Sequence, residues 1–184
     1  YINENSEKYK ISEIDKEIDR IARINYNEEI EKTEKYWRKY LKTHSNFEFR
    51  EDIYEKRIKN IYDRTILLYP LLINQETGGI SATMEVDENR TKCGRYAFSW
   101  PRDAVFISQA LEILNMNKEV EKFYKVFCKN TQSKNGMWEQ RFYTDGRLAP
   151  CWGYQIDETA SIVYGVYEHY KKTGDKQFLL DTYD

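Results

Sequence analysis

The sequence predicts an all-α protein built from helical hairpins. Apolar residues recur at three- and four-residue spacing in most segments of the chain, and this is the period of amphipathic helices. The connections alternate between short turns and two long loops, over 74–102 and 131–155, which are rich in aromatic and charged residues. We therefore expect paired helices wound in a ring, with the long loops forming one functional face.

The first fifty residues are expected to form a helical linker or arm that carries no site. Their apolar side chains fall on two narrow stripes at helical spacing, among many charges. The stripes consist of Ile11, Ile14, Ile18 and Ile21, and then of Ile30, Trp37, Tyr40 and Leu41. The main domain is predicted from residue 51 to residue 184.

A stronger helix is predicted from Asp52 to Leu72. Pro70 removes a backbone hydrogen bond, so we expect a kink or an end near Tyr69. Its buried face should contain the side chains at helical spacing, namely Tyr54, Ile58, Ile61, Tyr62, Thr65, Leu68 and Tyr69.

Short strands are predicted within the long loops. One is expected over 80–84 and another over 96–100, where residue alternation would place three aromatic rings on one face. These rings belong to Tyr96, Phe98 and Trp100. Asp145-Gly146 is a strong signal for a hairpin turn in the second loop.

Further helices are predicted over 103–115, over 118–129 and from residue 157 onward. Asn117 is expected to cap the second of these, Gly174 to end the third and Asp175 to begin another. Tyr124 and Tyr164 are expected in the core. The core of the third helix should comprise Ile162, Val163, Val166, Tyr167 and Tyr170.

Composition argues against several classes of protein. Lys and Arg number 29 against 31 Asp and Glu, a net charge of −2, which gives no reason to expect a nucleic-acid partner. No apolar run is long enough to span a bilayer. The cysteines at 93, 128 and 151 lack the spacing of a disulfide framework or zinc site, and we expect buried thiols. Two histidines without a nearby nucleophile do not predict a catalytic triad.

The most informative stretch follows the three rings. Trp100-Pro101-Arg102-Asp103 places a charged pair at the start of a very apolar helix. Aromatic rings can cover the apolar face of a sugar, while Arg donates and Asp accepts hydrogen bonds from its hydroxyls. The pattern fits a small polyhydroxylated ligand. It equally fits a capping Asp, an Arg salt bridge and three core rings.

Three motifs resemble the glucoamylases of glycoside hydrolase family 15, which also includes glucodextranases and some trehalases. They are Gly78-Gly79-Ile80-Ser81-Ala82, Tyr96 with Trp100-Pro101-Arg102-Asp103, and Trp152-Gly153-Tyr154-Gln155-Ile156-Asp157-Glu158-Thr159. The resemblance covers roughly residues 54–184, and residues 4–45 resemble the helical linker that precedes the barrel in bacterial members. Because the chain begins at Tyr1 and stops at Asp184 within a helical pattern, we expect a piece of a longer protein.

This resemblance implies an incomplete (α/α)6 toroid, with a pocket at one end and with about the first four helices and the start of a fifth present. By the same resemblance, Arg102 and Asp103 grip hydroxyls of the terminal glucose, Tyr96 lies near the scissile bond and Trp100 lines the pocket. Trp152 matches the tryptophan of the second aromatic loop. Further candidate contacts are Trp138, Arg141, Gln155 and Asp157. The spacing after Trp152 departs from that of fungal members, and Trp138 and Arg141 fit a structural role equally well.

The chemistry implied is inverting hydrolysis of a terminal α-linked glucose, which needs no cofactor and no metal. The family's acid and base lie in segments that do not occur before Asp184, so no catalytic residue is expected in this chain. Glu139 lies at the wrong place in the motif order. Glu158 is expected to have a depressed pKa at the start of a helix, which does not suit a general acid.

The expected partners are an α-glucosidic oligosaccharide and the remaining helices of the barrel. The isolated chain should self-associate through the apolar faces that those helices would cover. Two other functions stay open. One is a non-catalytic helical interaction module, and the other is a trehalase or phosphorylase on the same toroid.

Overall fold

The computed structural model describes residues 11–49, 53–86, 89 and 95–183. The chain divides into two compact units, one that ends at Lys42 and one that begins at Thr43. The predicted boundary near residue 50 stays a prediction. Cys93 lies outside the described residues, while Cys128 is a buried free thiol and Cys151 a partly exposed one.

The first unit contains α1 (Ile11–Ala22) and most of α2 (Tyr26–His44), as the two apolar stripes predict. Ion pairs one turn apart, such as Glu17–Arg20 at 2.6 Å and Glu29–Lys32 at 2.6 Å, lie on their exposed faces. Such pairs contribute a few tenths of a kcal/mol each, about 0.2–0.5.

The second unit is all-α. Its helices are α3 (Ile53–Leu72), α4 (Pro101–Ile113), α5 (Asn117–Lys122), α6 (Lys129–Thr131), α7 (Ile156–Thr173) and α8 (Lys176–Thr182). A π-helical segment, Phe123–Cys128, joins α5 to α6, so that residues 117–131 form one continuous helix. No described helix is both long and apolar enough to cross a membrane.

The two predicted strands are wrong for the described residues. Ile80 pairs with Ile73 and Ser99 pairs with Phe142, each through a single isolated bridge. A β-strand requires several consecutive residue pairs with a neighbouring segment, whereas each of these segments forms a single pair. The turn at Gly146, by contrast, is confirmed by its positive φ of 91°.

Helix α3 corrects two expectations. It continues through Pro70 to Leu72, so the end expected near Tyr69 is wrong, while the kink expected there as the alternative stays a prediction. Its predicted buried face is largely exposed, since α4 packs on α7 rather than on α3. The exposed side chains include Tyr54, Ile58, Ile61 and Leu68, whereas Ile66 is buried.

The core lies where α4 and α7 pack against each other and against the continuous helix over 117–131. Gly165 permits this approach, because a Cβ there would lie 2.2 Å from Tyr124 Oη and 2.9 Å from Val105 Cγ1. Ile162 and Tyr124 are buried as expected. The predicted core positions Val163, Tyr164 and Tyr167 are exposed and therefore wrong.

Local signals placed the ends of α7 and α8 correctly. Gly174 adopts a left-handed φ of 68° and its N–H donates to Tyr170 O. The Asp175 carboxylate caps α8 by accepting from the N–H groups of Gln177 and Phe178. The expected cap at Asn117 is wrong by one residue, since Met116 holds the cap position of α5.

Candidate functional site

The candidate site lies where α4 and α7 begin. Helix α4 starts at Pro101 rather than at the expected Asp103, because proline has the φ that the first helical position requires and lacks the N–H that would be unpaired there. Arg102 and Asp103 therefore occupy the first turn of α4. Asp157 and Glu158 occupy the first turn of α7.

Arg102 joins the two helix starts through ion pairs. Its Nη1 bonds to the Asp157 carboxylate, and its Nη2 lies 3.2 Å from Asp103 Oδ2. The hydrogen bond that Arg102 donates to the Asp157 carboxylate raises the pKa of Arg102 and lowers the pKa of Asp157. Arg102 and Asp157 are therefore both charged at neutral pH.

Glu158 faces the same arginine from the buried side. Its Oε2 accepts the backbone N–H of Arg102 at 2.7 Å, and its Oε1 lies 3.4 Å from Arg102 Nη1. Burial raises the pKa of Glu158 to about 7. The expected depression of this pKa is wrong, because loss of hydration on packing outweighs the helix dipole.

Aromatic rings lie in the loop that leads directly into α4. Tyr96 and Trp100 lie 5.8 Å apart by their centroids, and Phe98 meets Trp100 edge-on, also at 5.8 Å. The rings that were expected on one strand face thus lie together in an irregular loop. Trp100 is buried, whereas Tyr96 is half exposed.

Arg141 links the two aromatic loops. Its Cζ lies 5.1 Å from the Phe98 ring centroid, 5.5 Å from that of Trp100 and 5.7 Å from that of Trp152. The Arg141 Nε–H also donates to Pro150 O at 2.6 Å. Trp152 is 89% exposed, so one face of the cluster is open to a ligand.

A pair of backbone hydrogen bonds keeps the loops in register. Ser99 N–H donates to Phe142 O at 2.8 Å, and Phe142 N–H donates to Ser99 O at 2.9 Å. Phe142 packs edge-on against Phe127 in the core. The rings are thus attached to a rigid part of the fold, although they lie in loops.

Seven of the nine predicted site residues fall into two contact groups, and two do not. Arg102, Asp103 and Asp157 form one group through ion pairs, and Tyr96, Trp100, Arg141 and Trp152 form the other through ring contacts. Trp138 instead points inward, where its Nε1–H donates to Cys128 O at 2.9 Å. Gln155 holds the cap position of α7 without a side-chain capping bond.

Glu158 was not predicted from the sequence as a member of this site. A glutamate at the third position of a helix usually bonds to its own helix cap, so its contact with another helix has no local signal. The described residues contain no group of three or more His, Cys, Asp or Glu side chains that could hold a metal ion.

Comparison with known proteins gives one distant relative. The chain is 28% identical over 146 residues to an uncharacterized glycosyl hydrolase of Methanocaldococcus jannaschii, a match that covers 78% of this chain and 22% of the relative. No protein-family model and no solved structure matches the chain. The chain is therefore similar, over most of its length, to about a fifth of a longer protein that bears the name glycosyl hydrolase.

Proposed function

We propose that this chain is the N-terminal portion of a glycoside hydrolase, and more specifically of an inverting, exo-acting α-glucosidase of the glucoamylase type. The observation that carries the proposal is the cluster at the starts of α4 and α7, where Arg102 with its carboxylates borders an open set of aromatic rings. The named relative supports the broader class. The motif resemblance supports the narrower one.

The cluster has the two chemical surfaces that a sugar requires. The rings of Tyr96 and Trp152 present apolar faces that can cover the C–H groups of a pyranose. Arg102 and Asp103 are about two-fifths exposed, so their free donors and acceptors can reach sugar hydroxyls. Charged groups give such hydrogen bonds about twice the strength of neutral pairs.

Inverting hydrolysis requires a carboxylic acid and a carboxylate about 6.5–9.5 Å apart on opposite sides of the scissile bond. Glu158 has a pKa suited to an acid, but its side chain is 0% exposed and cannot reach a glycosidic oxygen. Glu139 Oε2 is 3.8 Å from Cys151 Sγ, and its place in the motif order does not match that of the family's acid. The proposal therefore assigns substrate binding to this chain and the acid and base to other segments of the parent protein.

Proton NMR of the released sugar tests the proposal. Maltotriose, isomaltotriose and trehalose are incubated with this chain and, in parallel, with the reading frame extended downstream. We expect β-glucose from the extended protein alone, because inversion turns an α-linkage into a β-product. Glucose from the short chain would return Glu139 to consideration.

The alternative helical interaction module draws support from the exposed apolar side chains of α3, α4 and α7. A titration separates the two functions. A sugar site should bind maltose or isomaltose and change the fluorescence of Trp100 and Trp152. An interaction module should leave that fluorescence unchanged.

A further inference from the structure

The start of α4 lacks a cap of its own. Its cap residue, Trp100, offers no side-chain hydrogen bond, and Pro101 has no N–H. Helix starts leave their first N–H groups without partners inside the helix. The Arg102 N–H is one of these groups, and it is partly buried.

Glu158 supplies the missing partner from another helix. Its carboxylate lies 56 residues away in sequence and accepts the Arg102 N–H at 2.7 Å. At the third position of α7 a glutamate would commonly bond back to its own cap. Here the side chain crosses to α4 instead, and its second oxygen accepts no hydrogen bond from any residue that the structure describes.

We propose that Glu158 is a positioning residue, which holds both the backbone and the guanidinium of Arg102 in place so that Arg102 and Asp103 face the ligand. The inference about the ligand rests on the proposed function. The inference about Arg102 rests on the two contacts of the Glu158 carboxylate alone.

Burial of this carboxylate favours a positioning role over a stabilising one. Removing a carboxylate from water is costly, and a buried ion pair is a weak source of stability. A carboxylate that accepts a helix N–H and pairs with the same residue's side chain instead fixes one orientation. Glu158 thus contacts Arg102 both at its backbone N–H and at its guanidinium.

The constraint should depend on pH. The charged groups that face Glu158 are Arg102 and Asp103 from α4 and Asp157 from its own helix. Since burial raises the pKa of Glu158 to about 7, its ion pair with Arg102 forms as the pH rises through neutrality. The ion pair with Arg102 lowers the pKa of Asp157, so that carboxylate remains ionised in the same range.

The test compares the wild type with Glu158→Gln, whose amide oxygen can still accept the Arg102 N–H but carries no charge. Glu168→Gln on the same helix is the matched control. One measurement is the chemical shift of the Arg102 amide from about pH 5 to about pH 9. The other is maltose affinity, from tryptophan fluorescence, over the same range.

We expect the Arg102 amide resonance of the wild type to move near neutral pH and that of Glu158→Gln to stay constant. At the alkaline end, Glu158→Gln should bind maltose roughly tenfold more weakly, the low end of what a hydrogen bond to a charged group contributes. At the acidic end the maltose affinities of the wild type and Glu158→Gln should converge, because the side chain at position 158 is then neutral in both proteins. A residue with a merely structural role would not produce this convergence.

Constant Arg102 resonances in the wild type would overturn the positioning role, and this measurement needs no variant to fold. Equal maltose affinity of a folded Glu158→Gln protein and the wild type at every pH would overturn it as well. Another outcome is that the Arg102 amide resonance shifts with the ionisation of Glu158 while the wild type binds neither maltose nor isomaltose. In that case the proposed function fails and the positioning of Arg102 stands.

Discussion

Arg102 faces three carboxylates that differ in exposure. Asp103 and Asp157 are 39% and 56% exposed, whereas Glu158 is fully buried. An exposed carboxylate can exchange its contact with Arg102 for a hydroxyl of a ligand. A buried one cannot, so residues that look alike in sequence take different parts in the site.

Replacement of Asp103 tests the role proposed for an exposed carboxylate, which is to bind the ligand. In the glycoside hydrolase that we propose as the parent protein, Asp103→Ala should lower kcat/KM at least tenfold, because an unpaired buried or charged partner costs about 1–3 kcal/mol. Asp181→Ala is the control, since Asp181 is similarly exposed at 37% and pairs with Lys125. Wild-type activity of the Asp103 variant would contradict the assignment of this site.

Replacement of Glu158 changes the dependence of stability on pH. Its pKa rises from 4.5 to about 7 in the folded state, so between these values the folded protein binds more protons than the unfolded chain. The free energy of unfolding contributed by this group must then fall as the pH rises through that window. Urea unfolding at several pH values should show this fall in the wild type and lose it in Glu158→Gln. If the free energy of unfolding depends on pH equally in the two proteins, Glu158 is ionised across this pH range.

At the scale of elements, the site depends on how closely α4 and α7 approach. Gly165 lies against Tyr124 and Val105 with no room for a methyl group. The closeness of the two helices sets the distance over which Glu158 reaches Arg102. Packing in the core is therefore part of the geometry of the site.

Gly165→Ala should destabilise the protein although alanine favours helices. The added Cβ would meet Tyr124 Oη at 2.2 Å, and overpacking of this kind costs roughly 1–3 kcal/mol. Val163→Ala, at an exposed position of α7, is the control and should change stability by less. Thermal unfolding followed by circular dichroism measures both. A stabilised Gly165→Ala protein would show that the helices can separate at little cost.

Sequence patterns predicted the features that depend on neighbouring residues and failed for those that depend on residues far along the chain. Gly174 and Asp175 were placed correctly because caps depend on a few neighbouring residues. The all-α class followed from apolar periodicity. The pKa of Glu158 was given the wrong direction, since desolvation by a distant helix has no local signal. The exposed face of α3 was missed for a similar reason, because periodicity shows which side is apolar and not what covers it.

The second unit exposes many large apolar side chains on its helices. On α4, α7 and α8 they include Phe106, Ile113, Ile156, Val163, Tyr164, Tyr167 and Leu180. On α3 they include Tyr54, Ile58, Ile61 and Leu71. Contiguous apolar surfaces of this kind mark sites where another protein segment packs.

We therefore expect the isolated chain to self-associate or to be only marginally stable. Sedimentation analysis across a range of concentrations should show species larger than the 22.2 kDa monomer. Charged replacements at exposed apolar positions, such as Val163→Lys with Tyr167→Lys, should shift the distribution toward monomer. A monomer that unfolds cooperatively with high stability would contradict the expectation of an uncovered helical face.

The bond between Arg102 and Glu158 also has a consequence for folding order. It joins residues 56 positions apart, so the chain must close a long loop before the contact can form, and that closure costs entropy. Individual helices need only neighbouring residues and form faster. During refolding, helical circular dichroism should therefore recover before the maltose binding that we propose, and the lag between the two reports the docking of α7 onto α4.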